Sequence, residues 1–547
     1  MRKFSSYGPV DIDLHYYAPR TSLIEQTCQR LVGENPAKGG HYITVWAPRQ
    51  TGKSWLLLEA VERLKESEEY EVAILTLQSA KSAETTESVL EILVRNLGYR
   101  FPDRSFPQIS TWKEVQTLFT ADYFDKPLIL ILDEFDGMNP EFIDAFANEF
   151  RNIYTHRRSE NNILSAEKTF RLHGLALIGV RSVLGVENVS GSPFNVQRSV
   201  YVPNLTQEEV AGMFRWYEQE SGQSVEPGVV KRLFYETRGQ PGFVSWFGEL
   251  LTETYNRHAT TITAHDFEIA FAHGLKVLPN NNILNIISKA KEEPYIQTLY
   301  ELFRTDEKVD FTYDDPHINY LYLNGVIDQS TDDQIHFYVR FASPFVQKRL
   351  FNYFARHFFG NLGRLYDAFE DMSESITDTA LSVPHLMRRY EIYLLKNHEM
   401  ILKDAPRRES DDRVIEAIFH FNLYTWLYQF LNEFDGRVTP EFPTGNGQID
   451  LLVTYGDHFY GIEVKSFTNR KKYQEALGQA ARYGKKLKQS EIWLVFFVET
   501  VDDENRKKYE AIHHDNATGV VVYPILIATS RSYAMYRHQE KDFPTAP

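Results

Sequence analysis

The chain has 547 residues, of which 43% are hydrophobic and 14% aromatic, and its formal net charge is −16. This length exceeds one hydrophobic core, so roughly two to four globular domains are expected. The single cysteine excludes an internal disulfide and a thiol-rich zinc site, and a globally acidic chain is not a general nucleic-acid binder. We expect a cytoplasmic protein without a membrane partner, because we find neither a secretory signal nor an apolar run of about 20 residues.

Five apolar runs alternate with amphipathic helical stretches over the first 205 residues. They cover residues 42–46, 71–77, 127–133, 174–180 and 199–205. Near-continuous apolar strands separated by helices predict a parallel sheet that is covered on both faces. Thr206 and Glu209 then have the spacing of a capping box, which predicts the start of a helical segment.

The segment "APRQTGKS", residues 47–54, lies between the first of these strands and a helix. Phosphate binding at such a loop needs backbone N–H groups, a lysine for the β- and γ-phosphates and a hydroxyl for Mg²⁺. Gly52, Lys53 and Ser54 meet these needs, whereas Ala47 replaces the first glycine of the pattern. We predict that ATP and Mg²⁺ bind here, at Ala47, Arg49, Gln50, Thr51, Gly52, Lys53 and Ser54.

Two carboxylates end the third apolar strand, in "PLILILDEFD". Asp133 is placed to hold Mg²⁺ together with Ser54, and Glu134 to orient or deprotonate the attacking water. A pair of acids after a strand is often only solvent-facing. Its spacing from the phosphate loop favours the functional interpretation.

The order of these motifs resembles the AAA-type P-loop ATPases of the branch shared by AAA-like and STAND proteins. The resemblance rests on "APRQTGKSWLL", "LILDEFD", a strand ending in "GVRS" and the turn "GQPGF", over roughly residues 20–270. It implies a sensor residue at Arg181 or Ser182, a nucleotide contact near Pro241 and a homo-oligomer as one possible assembly. It also implies an arginine that acts on a neighbouring subunit, unless the candidates are simple surface charges: Arg151, Arg157 and Arg158.

The sequence pattern of residues 276–395 predicts a helix, a turn at Asn324-Gly325, a β-ribbon and a second helix. Together these elements resemble a winged helix. The stretch in the place of a recognition helix, "DPHINYLYLNGVI", contains no arginine or lysine. We therefore expect an intramolecular or regulatory role rather than phosphate contact. A polar, charged linker follows at residues 396–412.

A second cluster of charges lies in "GQIDLLVTYGDHFYGIEVKSF", residues 447–467. Asp450 lies on one predicted strand, and Glu463 and Lys465 lie on the next, where residues two apart share a face. Two carboxylates can bind one or two Mg²⁺ ions, or Mn²⁺, and a lysine beside them can position water for attack on a phosphodiester. The alternative is a cross-strand salt bridge, which the apolar surroundings disfavour.

The basic helix that follows carries Gln479 and Tyr483 one turn apart. Together these residues resemble the PD-(D/E)xK nuclease superfamily, over about residues 410–530, with the QxxxY motif of its exonuclease-related and Holliday-junction-related branches. The resemblance implies an αβββαβ core and the catalytic set Asp450, Glu463, Lys465, Gln479 and Tyr483. It implies Asp450 and Glu463 as metal ligands, with Glu416 as a third acid or Glu441 in its place. The expected proline before the aspartate is Ile449.

The predicted fold class is therefore a multidomain α/β protein with a P-loop parallel-sheet ATPase. Its predicted parts are the ATPase core at 1–205, a helical lid at 206–275, a winged-helix-like domain at 276–395, the linker at 396–412 and the nuclease domain at 413–547.

The predicted function is an ATP-dependent or ATP-regulated, metal-dependent nuclease that cuts DNA, and by analogy acts in defence against foreign DNA. The alternative is a STAND-like switch or scaffold whose C-terminal domain binds nucleic acid without cutting. A helicase-like motor is disfavoured, because only the two Walker elements are found. The choice between DNA and RNA, and between ends and internal sites, stays open.

Overall fold

The structure is a computed structural model that describes residues 1–8, 10–179, 198–304, 308–366, 369–403, 405–407, 414–441 and 449–530. It divides into two compact units. The first consists of Met1–Lys289 with Thr312–Asp328, and the second of Ala290–Phe311 with Gln329–Pro547.

The helices of the described residues, in chain order, are α1 (Thr21–Val32), α2 (Lys53–Glu66), α3 (Thr86–Arg100), α4 (Pro140–Ser159), α5 (Gln207–Ser221), α6 (Pro227–Thr237), α7 (Pro241–Glu249), α8 (Ala264–Lys276), α9 (Asn281–Ala290), α10 (Tyr295–Arg304), α11 (Pro316–Leu323), α12 (Pro344–Phe359), α13 (Val383–Lys396), α14 (His398–Leu402), α15 (Ala417–Asn432), α16 (Arg470–Lys486) and α17 (Asp503–Tyr509). Short 3₁₀ or π turns cover Gln78–Ser82, Trp112–Phe119, Phe135–Gly137 and Leu250–Tyr255. None of the helices in the described ranges has both the length and the sustained apolar character that crossing a bilayer requires.

The strands of the described residues are β1 (Tyr42–Trp46), β2 (Glu71–Thr76), β3 (Leu128–Asp133), β4 (Leu172–Gly179), β5 (Arg198–Tyr201), β6 (Ser224–Val225), β7 (Thr261–Ile262), β8 (Ile327–Thr331), β9 (Phe337–Phe341), β10 (Arg437–Glu441), β11 (Ile449–Tyr455), β12 (His458–Ser466), β13 (Glu491–Val498), β14 (His513–His514) and β15 (Val521–Ala528).

The first unit is built on a five-stranded sheet in the order β2-β3-β4-β1-β5, and every pairing in it is parallel. Both faces of the sheet are buried under separate hydrophobic clusters. This confirms the parallel sheet that the five apolar runs predict. In such a sheet the loops that follow the strands meet at one edge, so the segments after β1 and β3 can form a joint site.

A helical segment begins at α5, where the predicted capping box is present. The N–H of Glu209 donates to Thr206 Oγ1 at 3.1 Å, and the N–H of Thr206 donates to Glu209 Oε2 at 2.7 Å. Further along, Gly239 has a positive φ of 69°, and a Cβ there would lie 2.0 Å from the carbonyl oxygen of Leu205. The turn before α7 therefore requires glycine.

The elements predicted for the winged-helix-like region are present as α11, β8, β9 and α12. The boundary between the compact units falls within this region, after Asp328, so α11 belongs to the first unit and α12 to the second. The winged-helix-like domain and the other predicted domain boundaries stay predictions.

The second unit contains a six-stranded mixed sheet in the order β10-β11-β12-β13-β15-β14. The first three strands are antiparallel to one another, whereas β12, β13 and β15 run parallel. Helix α16 packs against one face through Tyr473, Leu477 and their neighbours. Helices α12 and α15 pack together, and the ring centroids of Phe351 and Phe421 are 5.0 Å apart.

Candidate functional site

The loop between β1 and α2 curls around the side chain of Lys53. The ammonium group donates to the carbonyl oxygens of Ala47 at 2.8 Å and Pro48 at 2.7 Å. Gln50 and Gly52 have positive φ values of 55° and 90°, so the backbone turns sharply just before the helix begins. The N-terminus of α2 and this loop form a concave, N–H-rich surface that suits phosphate oxygens.

Burial lowers the pKa of Lys53 to about 8, and the carboxylates of Asp136 and Asp133 counteract this effect. An ammonium group whose pKa is lowered by burial is stabilised when an anion approaches it. Lys53 is therefore suited to bind a phosphate group.

Ser54 and Asp133 bring the phosphate loop and the end of β3 together. Ser54 Oγ donates to Asp133 Oδ2 at 3.0 Å. A hydroxyl and a carboxylate at this spacing are oxygen ligands of the kind that Mg²⁺ takes beside nucleotide phosphates. These residues fit a magnesium ion.

Glu134, predicted to act on water, follows Asp133 in a left-handed conformation with φ of 57°. Its N–H donates to Asp133 Oδ1 at 2.9 Å. Burial raises the pKa of Glu134, and the charges of Asp133 and Asp136 add to the effect. A raised pKa suits a carboxylate that accepts a proton.

Asp136 lines the same cavity, and the sequence analysis missed it. Its charge is the largest favourable influence on the pKa of Lys53. A Cβ on Gly179, at the end of β4, would lie 2.6 Å from the Cβ of Asp136, so the strand end needs glycine to let Asp136 approach. The third acid of "LDEFD" is the signal that could have found it.

The turn before α7 is hydrogen-bonded to the phosphate loop. Gln240 Nε2 donates to the carbonyl oxygens of Arg49 at 3.0 Å and Gln50 at 3.2 Å, and the N–H of Gly242 donates to Gln50 at 3.1 Å. Pro241 lines the cavity beside them. Gln240, which the sequence analysis did not single out, is the residue of "GQPGF" that contacts the loop.

These groups surround one cavity of about 1460 Å³. Most of the predicted nucleotide-site residues line it: Arg49, Gln50, Thr51, Gly52, Lys53, Ser54, Asp133, Glu134 and Pro241. Ala47 is fully buried next to them. Arg181 and its alternative Ser182 lie outside the described residues. Residues distant in sequence also contribute to the lining, although no nucleotide-binding motif marks them, and they include Ser5, Ser6, Gly8, Lys289, Asn319 and Tyr320.

Helix α11 and the turn after it pack against the end of β1 and the start of the phosphate loop. Every residue from 318 to 327 is buried. A Cβ on Gly325 would lie 3.0 Å from the Cβ of Pro48, and the rings of Trp46 and Tyr322 are 6.0 Å apart. The segment predicted to have an intramolecular role thus contacts the site within its own unit.

Arg157 is not available to a neighbouring subunit, so this part of the prediction is wrong. Its side chain is buried, and it donates to Ser165 Oγ at 2.5 Å and to the carbonyl oxygen of Phe170. The guanidinium group holds the segment after α4 in place. Arg151 and Arg158 are exposed and stay predictions.

In the second unit, strand register aligns three carboxylates in one row, which we call the acid row: Glu441, Asp450 and Glu463. Glu441 on β10 lies opposite Asp450 on β11, and Asp450 lies opposite Glu463 on β12. Directly opposed residues of antiparallel strands point to the same face and are close neighbours. Of the two alternatives for the third acid, Glu441 lies in this row, whereas Glu416 directly precedes α15.

Asp450, in the middle of the row, is 1% exposed. Neither of its carboxylate oxygens accepts a hydrogen bond from any residue that the structure describes. Burial raises the pKa of Asp450 well above its usual range, and the charge of Glu463 raises it further. A buried carboxylate without a hydrogen-bond donor is costly unless a cation binds it.

Lys465 connects Glu463 to α16. Its ammonium lies 3.4 Å from Glu463 Oε1 and donates to Gln479 Oε1 at 2.6 Å. Gln479, predicted from the QxxxY motif, is therefore in contact with the charged cluster. Tyr483, one turn later, packs at the edge of the hydrophobic cluster under α16.

Glu441 forms an ion pair that the sequence did not predict. Lys348 on α12, itself 1% exposed, lies with Nζ 2.9 Å from Glu441 Oε2. Within the described ranges, no three His, Cys, Asp or Glu side chains converge closely enough to form a metal centre. Asp450 and Glu463 alone still fit Mg²⁺ or Mn²⁺, because Mg²⁺ is often held by one or two carboxylates.

The parallel sheet, the phosphate loop after β1 and the carboxylates after β3 define the P-loop nucleoside-triphosphatase class of fold. Residues 5–263 match the family described as "AAA-like domain". This part of the chain is therefore similar to AAA-like domains and has a P-loop fold. No curated protein is similar enough to count as a match.

Solved structures resemble the chain only weakly. The Walker-type ATPase paby2304 of Pyrococcus abyssi shares 13% identity at a TM-score of 0.41, over 63% of this chain and 99% of that one. The ORC2 protein of Aeropyrum pernix in ADPNP-ADP complexes shares 16% at 0.38, over 61% and 94%. The ORC1 protein of Aeropyrum pernix in complex with DNA shares 15% at 0.33, over 61% and 92%. At these TM-scores the likeness carries no argument about function.

Proposed function

We propose that the chain is an ATP-regulated, Mg²⁺-dependent nuclease that hydrolyses DNA phosphodiesters. The AAA-like domain binds and hydrolyses ATP, and the acid row of the second unit cuts the DNA. The observation that carries the proposal is Asp450, a buried carboxylate whose oxygens accept no described hydrogen bond, beside Glu463 and Lys465.

In the ATPase, each group has a distinct role. Backbone N–H groups of the phosphate loop and Lys53 bind the phosphates. Ser54 and Asp133 would hold Mg²⁺, which would supply neutralisation of the phosphate charge. Glu134, with its raised pKa, orients the attacking water and accepts its proton. Gln240 keeps the lid turn on the loop.

In the nuclease, Asp450 and Glu463 would hold a divalent cation, and a cation bound there would supply activation of water and stabilisation of charge on the phosphodiester. Lys465 orients the water or the phosphate group, and Gln479 fixes the position of the lysine ammonium. Exposed basic residues of α16 supply the positive surface that an otherwise acidic chain needs to attract a nucleic-acid strand: Arg470, Lys471 and Lys485.

The proposal is tested by incubating the full chain with linear, circular and single-stranded DNA in Mg²⁺. Lys465→Ala should lower the cleavage rate about 100-fold, the contribution of a group that positions or activates water. Lys485→Ala, an exposed lysine on α16, is the matched control, and should affect only DNA affinity. Equal rates for Lys465→Ala and the wild-type chain would refute the nuclease assignment.

A second candidate function is a switch whose second unit binds nucleic acid without cutting it. It is favoured by the exposed basic residues of α16, which can attract a nucleic-acid strand whether or not that strand is cut. DNA that binds but stays intact under every nucleotide condition would select this alternative.

A further inference from the structure

The ion pair between Lys348 and Glu441 joins the acid row to a helix that lies far from it in sequence. Glu441 lies opposite Asp450, and its charge contributes to the raised pKa of Asp450. Each outer carboxylate of the row contacts a lysine. Lys348 pairs with Glu441, and Lys465 pairs with Glu463.

Lys348 is held firmly where it meets Glu441. Helix α12 starts at a serine cap, where the N–H of Val346 donates to Ser343 Oγ at 3.2 Å. On the same helix, Phe351 packs on Phe421 of α15, and α15 packs on β10. The lysine is 1% exposed, whereas the Glu441 side chain is 24% exposed. A fully buried ammonium is rare in proteins unless an acid neutralises it.

We propose that Lys348 is a positioning residue of the acid row, an inference that rests on the proposed nuclease function. It holds the carboxylate of Glu441 beside Asp450, so that Glu441 supports the cation bound by Asp450 and Glu463. Partners of this kind orient the groups around a metal, and their loss weakens metal binding. Helix α12, which lies outside the predicted nuclease domain, is then part of the catalytic unit.

A purely structural ion pair would satisfy the buried ammonium without affecting the row. The two roles differ in one observable, the affinity for a divalent cation. Without Lys348, the partly exposed Glu441 loses this ion pair, and its carboxylate is held less firmly beside Asp450. Cation binding then weakens even though the strands keep their register.

The test is a titration of the full chain with Mn²⁺, with free Mn²⁺ followed by its electron paramagnetic resonance signal. Lys348→Met and Glu441→Gln should each weaken binding at the acid row about tenfold. The double variant should bind no more weakly than Glu441→Gln alone, because the lysine acts through that carboxylate. The nucleotide site can also bind Mn²⁺. The binding that is lost in Asp450→Asn therefore identifies the part of the Mn²⁺ uptake that belongs to the acid row.

Gln347→Met is the matched control, because Gln347 is the adjacent residue of α12 and is also 1% exposed. It should leave the affinity unchanged. If Lys348→Met does not fold, Glu441→Gln removes the same ion pair from its more exposed side. Unchanged Mn²⁺ affinity in Glu441→Gln, or an added loss in the double variant, would overturn the positioning role.

The two levels of the proposal fail differently. If Asp450→Asn changes nothing because the wild-type row binds no Mn²⁺, the proposed function and the role of Lys348 fail together. A different outcome refutes the positioning role alone. In that outcome the wild-type row binds Mn²⁺, Asp450→Asn loses this binding, and the Lys348 and Glu441 variants keep the wild-type affinity.

Discussion

Asp450 lies directly opposite Glu463 on two antiparallel strands, and both carboxylates are 1% exposed. Two buried acids in direct apposition repel each other when both are ionised. The pairing therefore destabilises the metal-free protein, and a divalent cation between the two side chains would relieve this strain.

Asp450→Asn should stabilise the metal-free protein at neutral pH. The folded-state pKa of Asp450 is raised by burial and by Glu463. A carboxyl group whose pKa is raised on folding contributes its full stabilisation at a pH below its unfolded-state pKa, about 3.9. This stabilisation is lost as the pH rises toward the folded-state pKa. Thermal melting in a chelator should show a higher melting temperature for Asp450→Asn at pH 7 and a smaller difference near pH 4.

Mg²⁺ should reverse the order of the melting temperatures of the wild-type chain and Asp450→Asn. The wild-type chain should gain melting temperature on adding the ion, because ligand binding to the folded state stabilises it. The gain should be smaller for Asp450→Asn. An equal gain in both proteins would show that Asp450 does not bind the ion.

The affinity for ATP should fall as the pH rises through about 8, the pKa of Lys53 in the nucleotide-free protein. Above that value the lysine is neutral, and binding the phosphates then requires uptake of a proton. Equilibrium titration with a fluorescent ATP analogue between pH 6.5 and 9.5 measures the effect (the range is about 1.5 units to either side).

Lys53→Arg provides the control for this pH profile, because a guanidinium stays charged over the whole range. Its affinity should be nearly independent of pH, whatever its absolute value. A wild-type affinity that is flat across pH 8 would contradict the assignment of Lys53 to the phosphates.

Glu134→Gln should lower ATP hydrolysis about 100-fold while ATP binding is retained, since the amide cannot accept the proton of the attacking water. Phosphate release and nucleotide titration measure the two quantities separately. Glu141→Gln, on the exposed start of α4, is the matched control. Loss of binding in Glu134→Gln would instead assign the residue to nucleotide or metal contact.

Gln240→Ala should weaken ATP binding by about fivefold to tenfold. The change removes two hydrogen bonds to the carbonyl oxygens of Arg49 and Gln50, and also the bond that Gln240 Oε1 accepts from the N–H of Phe243 at the start of α7. A hydrogen bond of this kind is worth about 1 kcal/mol in net terms. Gln207→Ala at the exposed start of α5 is the control. If both variants bind ATP equally well, the turn before α7 does not shape the phosphate loop.

Local patterns in the sequence were enough to find the elements that carry the phosphate loop and the acid row. Near-continuous apolar runs predict β1 to β5, because a doubly covered parallel sheet leaves few polar positions. The capping box at Thr206 acts within a single helical turn, and Lys465 and Gln479 fall in a recognisable motif. Each of these signals spans only a few neighbouring residues.

Contacts between distant segments could not be predicted in the same way. Lys348 meets Glu441 only because α12 packs on α15 and α15 on β10, and no local pattern encodes that packing. Asp136 approaches Lys53 because Gly179 on another strand leaves room for it. The choice of Glu441 over Glu416 for the acid row likewise depended on strand register.

The rate of DNA cleavage in Mg²⁺, with and without ATP, tests the proposed nuclease most directly when it is measured for the wild-type chain, Asp450→Asn and Glu134→Gln. We expect the wild-type chain to cut DNA at a rate that ATP changes, Asp450→Asn not to cut, and Glu134→Gln to respond differently to ATP. Cutting by Asp450→Asn at the wild-type rate, or no cutting of any DNA by the wild-type chain, would contradict the nuclease assignment.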